Sequence, residues 1–376
     1  MMLRILSVIA ITAMFCLSAN AQICGPVTKI STSLKFADKS VEPVQAWKLG
    51  DIATIVVTPG MHVNPDGNAR AYSVGDRGLV AIENGVKIWD DGKYKDYSTY
   101  LRDYANDPVK SKGFRALWLD AEARGFGPGT REFDAFAISR EGGTVVDPRV
   151  RGRVNLVGNG KGKPVLQSVE GEKMKYYVAM TSLTQAGFAE NDQRRYLDSS
   201  SIPAWVLPRL PSNSNAPIDP LRQRLAHRQL AWVYAPKTNQ GTYAIAGDTG
   251  PLAKFGESTI ALQSKLLWGE IYPVPHYRPD ARYVTCRPGQ FPDGNTDCVY
   301  KPYFATRGGR LTAGSFPHQT LWIIFGRDKI VTEPVITEDL IDREGAKVMM
   351  SVNRTWLLTC LHQQVPELRP LLLKLP

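Results

Sequence analysis

Short runs of β-branched and aromatic residues recur along the 376-residue chain, each closed within a few positions by proline, glycine or asparagine, and this limits what it can fold into. DIATIVVT (51–58), IPAWVL (202–207) and LWIIFG (321–326) have the length and composition of strands. Leu230 to Tyr234 and Thr242 to Ala246 read as paired strands across a turn from Lys237 to Gly241. KPVLQSVEGEKMKYYVAMTSL (163–183) holds two extended runs about a charged turn. Leu79 to Trp89 fits a hairpin around Asn84-Gly85, and Asp134 to Ser139 a short strand. Asn64-Pro65-Asp66-Gly67 is a strong turn signal.

Only two segments carry a helical pattern. In ESTIALQSKLLWG, Glu257 opens a helix that places Ile260, Leu262, Leu266 and Leu267 on roughly one face and ends at Gly269, a suitable C′ residue. Thr337 caps a final helix whose apolar positions include Leu340, Ile341, Val348, Val352, Trp356 and Leu357. Regular strand and helix alternation is missing, which argues against a doubly wound fold, and no repeat of fixed period is present. The expectation is a mixed, β-rich fold, a barrel or a sandwich, with a few helices.

The N-terminus has Arg4, an apolar run from Ile5 to Leu17 too short to span a bilayer, and Ala19-Asn20-Ala21, the pattern of a secretion signal cleaved before Gln22. This predicts a secreted or periplasmic protein without stable membrane insertion, since no other stretch approaches transmembrane length. Cys16 leaves with the signal, and Cys24, Cys286, Cys298 and Cys360 remain. In an oxidising compartment they are expected in disulfides. The spacing favours Cys286 with Cys298, which would leave Cys24 with Cys360, but four cysteines allow three connectivities and the sequence does not choose between them.

No histidine sits at ligand spacing from these cysteines. The five histidines lie in separate segments without H-x-H or H-x-x-x-H spacing, so neither a metal nor another cofactor is expected. The formal charge of +10 suits anionic surroundings, but no basic repeat or stacking platform accompanies it, and nucleic acid is not an expected partner.

YAIAGDTGPLAKFGESTIAL (243–262) sets Asp248 and Glu257 nine positions apart at a strand-to-helix junction, bracketed by Gly247, Gly250, Pro251 and Gly256. Pattern alone leaves two readings open. Asp248 can brace a turn and Glu257 can complement a helix N-terminus, or the pair can serve as the acid and base of glycoside hydrolysis. Among other candidates, Asp66 and Asp76 fit turns or a groove lining. Asp198 fits a salt bridge with Arg194 or Arg195, or a hold on a substrate group. Tyr176, Tyr177 and Trp205 fit core filling or sugar stacking, and Thr181 and Ser182 fit hydrogen bonding, there being no G-x-S-x-G elbow.

HVNPDGNARAY, DRGLVAIENG, KPVLQ, YYVAMTSL, RRYLDSSSIPAWVLP, YAIAGDTGP, FGESTIAL and LWIIFG, in this order between about Ala53 and Gln363, resemble bacterial members of glycoside hydrolase family 75, whose type enzymes are endo-chitosanases. The resemblance implies that Asp248 and Glu257 are the catalytic pair of an inverting, metal-free hydrolysis, with Glu257 as general acid and Asp248 as base. Asp66, Asp198, Thr181, Ser182 and Tyr177 are then candidates for binding substrate. It implies a polysaccharide substrate, chitosan-like or another cell-wall glycan, handled by a monomer. Separately, the strand-DxGP-loop-helix order followed by Leu267-Trp268-Gly269 resembles the element of double-psi β-barrels in cell-wall-active proteins.

The expected organisation is a signal peptide (1–21), an N-terminal arm (22–50), a hydrolase domain (51–334) with insertions near 90–148 and 272–319, and a C-terminal helix and tail (335–376). A non-catalytic glycan-binding homologue and an enzyme of peptidoglycan or another acidic polysaccharide are the alternatives.

Overall fold

The computed structural model describes residues 24–36, 40–64, 66–69, 175–271 and 318–374. Between them it describes the short stretches 86–90, 93–96, 132–135, 139, 165–168, 284–285, 298–299, 306–307, 310–311 and 315–316. Ten strands form one mixed sheet: β1 (Val27–Lys29), β2 (Gln45–Leu49), β3 (Ala53–Thr58), β4 (Met61–Asn64), β5 (Ala204–Leu207), β6 (Leu230–Ala235), β7 (Gln240–Thr249), β8 (Glu257–Thr259), β9 (Ser315–Phe316) and β10 (Thr320–Phe325). Their spatial order is β1-β2-β3-β10-β6-β7-β5-β8-β4-β9, and the first and last strands are not paired with each other. The β5/β7 and β8/β4 pairs are parallel, and the remaining pairs are antiparallel. The protein is thus β-rich, and a closed barrel does not follow from this linear order.

The apolar runs are nearly continuous because both faces of the central strands are covered. Ile55, Val57, Trp232, Tyr234, Leu321 and Ile323 belong to one core. Their chain neighbours Val56, Ala231, Val233, Trp322 and Ile324 belong to another, so successive residues alternate between two buried environments, as the two-residue period of a strand requires. Trp205 lies in the second core against Phe255 and Trp322, which makes it a packing residue.

Two helices cover the first core, α2 (Glu338–Val352) and α3 (Arg354–Gln364), through Leu340, Ile341, Met349, Leu357 and Leu361. Thr337 caps α2 as expected, its hydroxyl accepting from Leu340 N–H. The single final helix expected from sequence is instead two. Asn353 takes φ +59°, ends α2 and starts α3 by accepting from Trp356 N–H, so the helical pattern continues through a break in the backbone.

The other correction concerns Glu257. It does not open a helix: Glu257–Thr259 is β8, and helix α1 (Ile260–Trp268) begins only after Thr259, whose hydroxyl accepts from Leu262 N–H. Ser258 pairs with Trp205 of β5 and Val63 of β4, and these two ladders hold the segment extended before the helical pattern can begin. Gly269 ends α1 at φ +84°, with its N–H bonded to Lys265 C=O.

MHVN, read from sequence only as the approach to a turn, is strand β4. Only Pro59 and Gly60 separate it from β3, yet the two strands lie six ladder steps apart. A flat sheet would place them about 29 Å apart at about 4.8 Å per strand, whereas three Cα–Cα links reach about 11 Å. The sheet therefore curls back toward itself.

Residues 27–29 and 45–49 of the expected arm are strands of this sheet, and the Cys24–Cys360 disulfide ties the arm to α3. Cys286, on which the Cys286–Cys298 expectation rests, and Asp76 lie outside the described residues. Of the expected hairpin near residue 84, Val86–Asp90 is a strand, paired with Lys93–Asp96 and with Glu132–Ala135, where a strand from Asp134 had been expected. Leu166–Ser168 pairs with Lys175–Tyr177, the two extended runs about a charged turn. No helix among the described residues is long and apolar enough to cross a membrane.

Candidate functional site: two carboxylates beside one strand

Strand β5 brings the two acids together. Trp205 pairs with Ala246 of β7, but the next residue, Val206, pairs with Asp248, so Gly247 is an extra residue in β7. Such a bulge re-aims the side chain that follows it. On the other edge of β5, Trp205 pairs with Ser258, and the antiparallel register carries Val206 opposite Glu257. Asp248 and Glu257 thus flank Val206, two ladder steps or about 9.6 Å apart by strand spacing.

Gly250 keeps this row open. A Cβ there would lie 2.7 Å from both Val206 Cγ1 and Glu257 Oε2, so the Glu257 carboxyl packs directly against the bare glycine. Gly247 has a similar constraint, since a Cβ would lie 2.8 Å from both Ala204 Cβ and Leu197 Cδ1.

Asp248 is held from three directions. Its Oδ1 accepts from Ser182 N–H and from its neighbour Thr249 N–H, both at 2.8 Å. Its Oδ2 accepts from Asn64 Nδ2 at 3.0 Å. Burial pushes the carboxyl above the usual carboxylate range, and these donors, which favour the ionised form, oppose that push.

Glu257 has a different environment. Its side chain is 16% exposed, and the buried Lys254 ammonium lies 3.9 Å from Oε1. An opposite charge at that distance favours the ionised carboxylate.

Hydroxyls and a histidine extend the site beyond Asp248. Ser182 Oγ donates to Thr249 Oγ1 at 3.1 Å, and Thr249 Oγ1 lies 3.2 Å from His227 Nε2. Burial pulls the His227 imidazole below its usual range; the Asp248 charge opposes this and Arg222 reinforces it. A neutral ring with a lone pair on Nε2 can then accept from Thr249.

Of the remaining candidates, Ser182 is in the site through its backbone and hydroxyl. Asp66 joins it through its N–H, which donates to Asn64 Oδ1 at 2.8 Å. Thr181 is buried and engaged in structure, its hydroxyl donating to Leu183 C=O and accepting from Leu197 N–H. Asp198 makes no salt bridge with Arg194 or Arg195. Its carboxyl accepts from Asn68 Nδ2 and from the Ser200 and Ser201 hydroxyls, while Arg194 pairs with Asp192 and Arg195 donates to Phe188 C=O. Tyr177 lies in the strand Lys175–Tyr177.

Asn64, His227 and Thr249 are not among the sequence candidates, and Gly250 figures there only as a residue bracketing the two acids. In the sequence Asn64 marks only the start of a turn, and His227 has no second histidine at ligand spacing. Among the described residues, no group of three or more His, Cys, Asp or Glu is placed to hold a metal ion. These features define a β-rich protein with a paired-carboxylate site at the end of a bulged strand. No family model matches the chain, and no curated protein matches it.

Proposed function

We propose that the chain is an endo-acting glycoside hydrolase of the family 75 type, cutting a β-1,4-linked amino-sugar polymer by inversion with Asp248 and Glu257. The observation that carries this reading is the bulge at Gly247, which sets the two acids on either side of Val206, with the side-chain-free Gly250 against the Glu257 carboxyl. The two-strand spacing is compatible with the carboxyl separation of about 6.5–9.5 Å that leaves room for a water between acid and base.

The electrostatics favour the exchange of the roles suggested by resemblance. Burial helps Asp248 keep a proton, which suits a general acid donating to the leaving glycosidic oxygen. Lys254 helps Glu257 stay ionised, which suits a base taking a proton from the attacking water. The water adds to the anomeric carbon as the bond to the leaving oxygen breaks, and the net result is one hydrolysed linkage.

A barrel of the double-psi type is the architecture we assign to the curled sheet. Support comes from the register: β3 pairs with β10 and β4 with β9, so the segment 53–64 runs antiparallel to 315–325 with a one-residue change of register at the bend. Taken as two bent strands, these segments join β6, β7, β5 and β8 in a ring of six. The Cys24–Cys360 disulfide supports an exported protein, in line with the N-terminal signal pattern.

The formal charge of +10 favours a second substrate, an anionic wall polymer, over polycationic chitosan. The test is reducing-end release from chitosan, chitin, cellulose and peptidoglycan by the mature protein, alongside Asp248→Asn and Glu257→Gln. Release from chitosan that disappears in both folded variants is expected. Release confined to peptidoglycan would keep the chemistry and change the substrate, and no release by a folded protein would replace hydrolysis with binding.

A further inference from the structure

Asn64 occupies an unusual place relative to the two acids. It ends β4, the strand beyond Glu257, where it pairs with Thr259 of β8, three ladder steps from the strand that carries Asp248. Those steps would span about 14 Å in a flat sheet. Even so, Asn64 Nδ2 donates to Asp248 Oδ2 at 3.0 Å, across the strands that lie between them.

The amide has a defined orientation. Asn64 is 8% exposed, and its Oδ1 accepts from Asp66 N–H at 2.8 Å. A backbone N–H is only a donor, so the atom facing it is the oxygen and the NH2 group is turned toward Asp248. Gly67, in the same turn, has φ +83°, and a Cβ would collide with Leu197 C=O. Gly67 C=O in turn accepts from Gln193 Nε2 at 2.7 Å. The turn that aims Asn64 is thereby pinned to the segment from Gln193 to Leu197, which also holds Ala179 and Thr181 by hydrogen bonds.

We propose that Asn64 is the positioning residue of the carboxylate pair: its amide, aimed by Asp66 N–H, fixes the rotation of the Asp248 carboxyl and links it to the strand beside Glu257. The inference deepens the hydrolase reading and rests on it for its catalytic meaning. With both Asp248 oxygens engaged by donors, Asn64 determines which one keeps a lone pair or proton free to face the row at Val206. It touches neither water nor sugar in this role and acts through Asp248.

The first experiment needs no substitution in Asn64. In the wild-type protein, the Asn64 side-chain NH2 resonances are followed by NMR from pH 3 to 8 together with the Asp248 carboxyl carbon. Both should show the same midpoint, and the Asn64 inflection should vanish in Asp248→Asn. An Asn64 amide that does not respond to Asp248 overturns the proposal.

Asn64→Asp, nearly identical in shape, then places a second carboxyl against Asp248. The Asp248 midpoint should rise by about one pH unit or more, because two adjacent carboxylates resist double ionisation. In the activity assay, kcat should fall at least about tenfold with KM little changed, and the limb of the pH profile set by Asp248 should move with the NMR midpoint. Asn64→Ala should also move the midpoint upward by removing a donor to the ionised form. A loss of melting temperature in these variants with the Asp248 midpoint and pH profile unmoved would mark Asn64 as purely structural and overturn the proposal. If the wild type releases no sugar from any polymer, the hydrolase reading fails, while the NMR titration still decides whether Asn64 positions Asp248.

Discussion

Gly250 and Glu257 share one space: a Cβ at Gly250 would lie 2.7 Å from Glu257 Oε2. Gly250→Ala must therefore displace the Glu257 carboxyl or Val206 Cγ1, which lies equally near, and overpacking of this kind costs about 1–3 kcal/mol. On the proposed hydrolase reading, glycan cleavage should fall at least about tenfold while the protein still folds, because a small misplacement of a catalytic group is expensive. Circular dichroism and reducing-end release measured together check this; full activity in a folded Gly250→Ala protein would mean that the Glu257 position is irrelevant to the reaction.

Loss of either carboxyl should be far more damaging to activity than to structure. A positioned acid or base contributes about 10²–10⁴ in rate, so Asp248→Asn and Glu257→Gln should each lower kcat by about a hundredfold or more. An exogenous small anion such as azide or formate should restore some turnover to the variant that lacks the base, and the roles favoured above place that rescue in Glu257→Gln. Rescue in Asp248→Asn alone would return the base to Asp248.

The order of the strands was legible only in part. DIATIVVT and LWIIFG identified β3 and β10 because burial on both faces leaves a continuous apolar run. MHVN escaped notice because it is short and borders a turn, yet its ladder with β8 is what sets Glu257 on a strand and Asn64 within reach of Asp248. Glu257 itself is visible as a candidate acid, but its sequence neighbourhood points to a helix start where the structure has a strand. EST has no strong strand propensity, and partners distant in sequence, Val63 and Trp205, hold it extended. His227 reaches the site through Thr249, which no spacing rule in the sequence encodes.

Asp248 and His227 should pull the pH dependence of stability in opposite directions. The folded-state pKa of Asp248 is raised, so the folded protein binds this proton more tightly than the unfolded chain, and stability falls as pH rises from the ordinary carboxylate range through the raised value. For His227 the folded-state value is lowered. The unfolded chain then takes up the proton first, and stability is lost as pH falls from about 6.5. Melting temperatures between pH 3.5 and 8 should show the first slope removed in Asp248→Asn and the second removed in His227→Gln. A wild-type curve unchanged by either substitution would mean that neither group is desolvated as the geometry requires.

The Cys24–Cys360 bridge joins residues 336 positions apart and closes most of the chain into one loop. Cys360, a residue of α3, is fully buried in the core, while Cys24 precedes β1, an edge strand whose strand partner among the described residues is β2 and whose Val27 N–H also donates to Gln364 Oε1. Reduction should release that edge first, because β1 is short and its residues are largely exposed. Cross-links of this kind stabilise by roughly 2–5 kcal/mol, chiefly by restricting the unfolded chain. Cys24→Ser should therefore melt several degrees lower than the wild type, with hydrogen exchange accelerated in 27–29 and in α3 but little changed in β6 and β7. Since the carboxylate pair lies on β7 and β8, away from this edge, cleavage below the melting transition should be retained. Equal loss of protection in β7 would instead mean that the disulfide holds the site itself.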